Sequence, residues 1–156
     1  MTSETRSFLL LLDEGFNRAA WHGPNLLGGL RGLTLAQLLR RPGSGGHNIW
    51  ELALHCAYWK YAVRNRLIAG KRNTFPLEGS NFFPRDSGLT LADWKNDLAL
   101  LKQQHAALRE TIGSLDPAVF DLGIPGSRHT VRRTVLGIAA HDIYHAGQIA
   151  LLKRMA

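Results

Sequence analysis

Apolar residues recur at helical spacing in four long stretches, and nowhere does the chain alternate apolar and polar positions as a half-buried strand would. In the first stretch Phe8, Leu9, Leu12, Phe16, Ala19 and Ala20 share a face, which predicts helix over residues 3–21, stopped by His22-Gly23-Pro24. Asn25 to Leu33 reads as a glycine-rich connection, followed by a short helix from Leu35 to Arg40 that Thr34 caps. The second long helix is predicted over 48–69. Asn48 is its N-cap, Glu51 completes a capping-box-like arrangement, and Gly70 is its stop. The third is predicted over 91–112, capped by Thr90 and ended by Gly113-Ser114. Asp116-Pro117 starts a single turn through Phe120, and Thr130 caps the fourth helix, over 131–154.

Four long helices without strands predict an all-α four-helix bundle, with long connections before helices 2, 3 and 4. A chain of 156 residues suits a single domain over 1–156. The connection over 71–88 carries two prolines, two glycines and three phenylalanines, and so long an irregular stretch is expected to be functional or a lid. The break at Pro42-Gly43-Ser44-Gly45-Gly46 is a loop, because no Lys-Ser/Thr follows to make it a phosphate cradle.

Composition changes this picture little. Hydrophobic residues at 45% and charged residues at 20% are the balance of a folded globular chain. No apolar run approaches the roughly 20 residues that cross a bilayer, and the acid in Met1-Thr2-Ser3-Glu4 argues against a signal peptide. A single cysteine, Cys56, excludes an internal disulfide and fits a reducing cytoplasm, the expected location. The net charge of +7 is spread along the chain, so a solvated basic surface is favoured over a nucleic-acid footprint, although a basic rim could attract anionic substrates.

The candidate chemistry lies in three histidines. His141 and His145 stand at i and i+4 on the last helix, so their imidazoles point the same way and can share one metal ion. Asp142 stands where the helical zinc-peptidase motif requires Glu, so this is not that motif. Taken alone, the pair reads equally as two packed, half-buried histidines. His55, inside the second helix between Leu52 and Trp59, supplies a third nitrogen. Three protein ligands leave positions for water or substrate, the pattern of a catalytic metal. Asp142 and Gln148 are candidates to touch these histidines from outside, Gln148 equally to pack. His47 reads as a loop or capping residue, His105 as a helix-face residue, His22 and His129 as loop residues, and Cys56 as a buried inert thiol. Gly137 and Gly147 suggest close approach by another helix.

The run His47-Asn48-Ile49-Trp50-Glu51-Leu52, then His55 and Tyr58-Trp59, then His141-Asp142, Tyr144-His145-Ala146-Gly147-Gln148-Ile149 resembles the DinB-like (DinB/YfiT) superfamily over nearly the whole chain. That resemblance implies an up-down-down-up bundle with a divalent metal on His55, His141 and His145. Some members of that superfamily use a low-molecular-weight thiol such as bacillithiol, mycothiol or glutathione in transfer or isomerisation. The function it implies is thus a metal-dependent, thiol-using S-transferase or related small-molecule enzyme. The alternative is a non-catalytic metal-binding bundle with a stress-response or interaction role. Three imidazoles suit Zn, Ni or Fe, and do not choose among them. The implied partners are a small-molecule substrate or thiol and a second copy of the chain, a homodimer that light scattering would check. An enzyme is expected to have an open metal face and a pocket rimmed by the Phe75–Phe83 loop.

Overall fold

Side-chain caps set the starts of the helices. In the computed structural model, which describes residues 1–43, 45–68 and 73–155, Thr2 accepts the Thr5 N–H and opens α1 (Ser3–Phe16). Asn48 caps α4 (Ile49–Leu67), Thr90 caps α5 (Leu91–Ser114) and Thr130 caps α6 (Val131–Arg154). Each oxygen satisfies a backbone N–H that lacks a helical partner. Two short helices, α2 (Leu26–Gly29) and α3 (Leu35–Leu39), lie between α1 and α4, and a 3₁₀ turn at Pro117–Val119 precedes α6. No helix among the described residues is long and apolar enough to cross a membrane.

The four long helices pack as an all-α bundle. α1 packs on α5 and α6, and α4 packs on the same two, so α1 and α4 face one another across a diagonal. The connections from α1 to α4 and from α5 to α6 therefore cross the bundle, which is why they are long. Trp50 and Trp94 meet edge to face inside, with ring centroids 5.5 Å apart, while Trp21 is 97% exposed. Around the Trp50 pair gather Phe75, Phe83, Leu101 and Ile149, and Phe8, Leu12, Leu108, Ile112 and Phe120 form a second cluster.

Several expectations need correction. α1 stops at Phe16 rather than Trp21, because the Asn25 amide donates to the Arg18 carbonyl at 2.9 Å and turns the chain away. The connection after it contains α2, a turn capped by Asn25 that the glycine content conceals. Gly113 does not stop α5, which continues through Ser114. Asn48 does cap α4, but the Glu51 carboxylate takes Arg41, His47 and the Arg85 N–H instead of completing a capping box. Gly70, the expected stop of that helix, and Ser44 lie outside the described residues. Gly137 and Gly147 are exposed, with nothing near the position of a Cβ. The close approaches occur at Gly15, where a Cβ would stand 3.1 Å from the Ala139 carbonyl, and at Gly29, 3.2 Å from Ile149.

His105 is more than a helix-face residue. It is buried and stacked on Phe16, with ring centroids 3.7 Å apart, and burial pushes its imidazole down to about 3. An unfolded chain takes up this proton near the ordinary histidine value of about 6.5, whereas the folded chain refuses it until far lower pH. The stability this group contributes is thus complete above that value and lost as pH falls through the interval below it. His105→Phe keeps the stack and removes the proton site. Denaturant titrations at about pH 7 and about pH 5 should show a smaller loss of stability in the variant than in the parent chain. An equal loss would refute this.

Candidate metal centre

α4 and α6 bring the three predicted histidines to one point. His55 Nε2 lies 3.1 Å from His141 Nε2, and His145 Nε2 lies 3.1 Å from the same atom. His55 and His145 are each only 6% exposed, and His141 is half-buried. Burial holds the His55 imidazole down at about 4 and that of His141 down at about 3, and it lowers His145 as well. All three rings are neutral at neutral pH, as metal ligation requires.

The outer nitrogens decide where the hydrogens sit. His55 Nδ1 is 3.0 Å from the Asn81 carbonyl oxygen, which can only accept, so its hydrogen is on Nδ1 and its Nε2 is a bare lone pair. His145 Nδ1 is 2.6 Å from the Gln148 side-chain oxygen, whose amide nitrogen donates to the Tyr144 hydroxyl, so the same assignment holds. Two lone pairs thus aim at His141 Nε2. A neutral His141 has one hydrogen and serves at most one of them well, and its own Nδ1 is buried without a hydrogen-bond partner among the described residues. A cation among the three nitrogens removes the mismatch. With metal–nitrogen bonds of about 2.0–2.1 Å, a tetrahedral ion holds its ligands roughly 3.3 Å apart, close to the separations here. The donor set fits a divalent metal.

Asn81 is the residue that sequence reasoning missed. Its φ of 67° lies in the left-handed region, which Asn enters more readily than most residues. In that conformation its carbonyl accepts from His55 and its side-chain oxygen accepts from the Trp59 indole at 2.9 Å. Next to it Phe82 stacks on His55 at 4.1 Å and on His47 at 3.6 Å. The described part of the connection after α4 is fastened down. The Arg85 guanidinium binds Asp97, the Arg85 N–H binds Glu51, and Asn48 donates to the Arg85 carbonyl. Arg41 joins Glu51 to Asp86, and together with the Arg85 N–H it holds the Glu51 carboxyl down at about 2 despite burial.

The remaining candidates separate cleanly. Gln148 contacts His145, as anticipated. Asp142 bonds to Lys60 and to no histidine: both side chains are fully buried, and a buried carboxylate needs a counter-charge. Burial pushes the Asp142 carboxyl up while Lys60 opposes that shift. Cys56, His141 and Asp142 also bring ligand atoms within 4.8 Å of one another. Burial raises the Cys56 thiol well above its ordinary range, and Lys60 already occupies Asp142, so this set is the poorer one. His47 turns to Glu51 and does not join the triad.

His141 borders a cleft. Its volume is about 460 Å³, and it is walled by Trp59 and Val63 from α4 and by Arg133, Leu136, Ile138 and His141 from α6. Phe75 and Phe83 are not its rim: both are buried in the core beside Tyr58, because their rings are apolar enough to pull the connection inward. A second cleft, of about 430 Å³ beside Trp94 and Leu98, contains no histidine, cysteine or carboxylate.

Fold and site together define an all-α bundle with a buried histidine cluster suited to a divalent metal. The chain belongs to the DinB superfamily, whose family model matches residues 19–149. Neither a curated protein nor a solved structure matches it.

Proposed function

We propose that the protein binds a divalent metal through His55, His141 and His145 and uses it to activate a small thiol for S-transfer. The observation that carries the reading is the pair of fixed tautomers, His55 and His145, whose Nε2 lone pairs converge on His141. A bound ion of this kind supplies Lewis acidity, which lowers the pKa of a coordinated thiol so that thiolate is present at neutral pH. The chain does the rest. Asn81 and Gln148 hold two rings in the ligating tautomer, and Phe82 covers one face of His55 against water. Trp59 and Ile138 give an approaching substrate an apolar wall beside His141. The open cleft supports catalysis over a sealed, non-catalytic metal site.

The test is elemental analysis of the purified protein, then titration of its cobalt(II)-loaded form with glutathione. A metal near one equivalent and a thiolate-to-cobalt absorption band on adding thiol are expected. Metal without any thiol-dependent band would point to the non-catalytic bundle.

A further inference from the structure

Beside His141 the cleft is basic, and among the described residues that line it there is no compensating acid. Arg66, Arg133 and His129 line it, and no Asp or Glu does. Four arginines of this chain have carboxylate partners: Arg41 with Glu51, Arg85 with Asp97, Arg109 with Asp13, Arg132 with Glu4 and Asp121. Among the described residues neither Arg66 nor Arg133 has one.

Position makes the contrast sharper. Arg132 and Arg133 both stand in the first turn of α6, which holds no acidic residue and where the helix dipole disfavours a cation. Arg132 is compensated by two carboxylates, and Arg133 is left facing the cleft. Arg66 is exposed but has an aromatic neighbour. Its guanidinium lies over the Trp59 indole, 5.7 Å from the ring centroid, and that indole is itself 6.3 Å from the His141 ring. One aromatic side chain therefore joins Arg66 to His141. Val63, Leu136 and Ile138 line the same cleft.

We infer that this cleft selects substrates bearing a carboxylate on an apolar body, with the carboxylate held by Arg66 and Arg133 and the body lying on Trp59 toward His141. Planar guanidinium forks match carboxylate oxygens, and an apolar wall rewards a hydrocarbon or aromatic body over a fully hydrated anion. The inference rests on the proposed function for which end of the ligand reacts. It does not rest on that reading for the recognition itself, because neither arginine touches the triad.

The experiment compares 3-phenylpropionate with its neutral counterpart, 3-phenylpropanamide, by calorimetry on the protein as purified, its metal content read in parallel. The carboxylate should bind about tenfold more tightly or better, the difference expected of a charge-assisted hydrogen bond. The preference should shrink with added salt and fall to within about twofold in Arg66→Gln/Arg133→Gln. The same double change in the other cleft, Lys95→Gln/Lys102→Gln, should leave it intact. Equal binding of the two probes, no binding of either at millimolar concentration, or a preference that survives the double arginine variant would each overturn the inference. A preserved preference in protein that holds no metal would instead refute the metal reading and leave the recognition standing.

Discussion

His141→Ala should strip the protein of nearly all its metal. This histidine is the one whose Nε2 stands 3.1 Å from both others, so its loss removes the centre of the cluster and not an edge. His55→Ala and His145→Ala should have the same direction of effect, since two imidazoles hold an ion poorly. Substitutions of ligand supports should be milder: Gln148→Leu removes the acceptor of His145 Nδ1 and should weaken the metal by about 10–100-fold. Wild-type protein should melt at higher temperature with added metal, and the triad variants should not, because only a folded site contributes binding energy. Lowering the pH should release the ion as protons compete for the nitrogens. His105→Ala and His129→Ala are the controls, and they should retain the metal. The measurement is elemental analysis beside thermal melts, and equal metal in wild type and His141→Ala would rule the site out.

Lys60→Met should damage the fold severely. Lys60 and Asp142 are each fully buried and bonded to one another, so removing the ammonium strands a carboxylate in the core. Breaking such a pair costs about 3–5 kcal/mol, which in a chain of this size lowers Tm on the order of 10 °C. The double variant Lys60→Met/Asp142→Leu should recover most of that loss. Among the described residues Asp142 Oδ1 has no hydrogen-bond partner even in the intact pair, so the pair is not an optimal use of the space. A melt of the single variant that matches wild type would show that water reaches Asp142.

What the sequence disclosed, and what it concealed, follows from the range of each interaction. The bounds of α6 were legible because Thr130 and a regular apolar stripe are local signals. The convergence of His141 and His145 was legible because i, i+4 spacing dictates it, and His55 followed from a second apolar helix. Lys60 was not, since a lysine on a helix reads as solvent-facing until its partner, far along the chain, is known to be buried with it. Nor was Asn81, whose role depends on a backbone angle that no composition announces. The early end of α1 is set by the side chain of Asn25, beyond the helix it terminates. Gly137 and Gly147 misled for a related reason: a helical glycine marks close packing only where a neighbour is there to use the space, as at Gly15.

Asn81 gives the site a dependence that its three ligands do not suggest. One peptide unit sets the proton on His55, and the same residue's amide anchors Trp59 at the wall of the cleft. Ligand basicity and cleft shape are therefore two readouts of one backbone turn. Any event that lifts this turn off α4 frees His55 to move its hydrogen to Nε2 and releases the indole at the same moment. Under the proposed function, metal and substrate affinities are then coupled through the chain, even where the two ligands never touch.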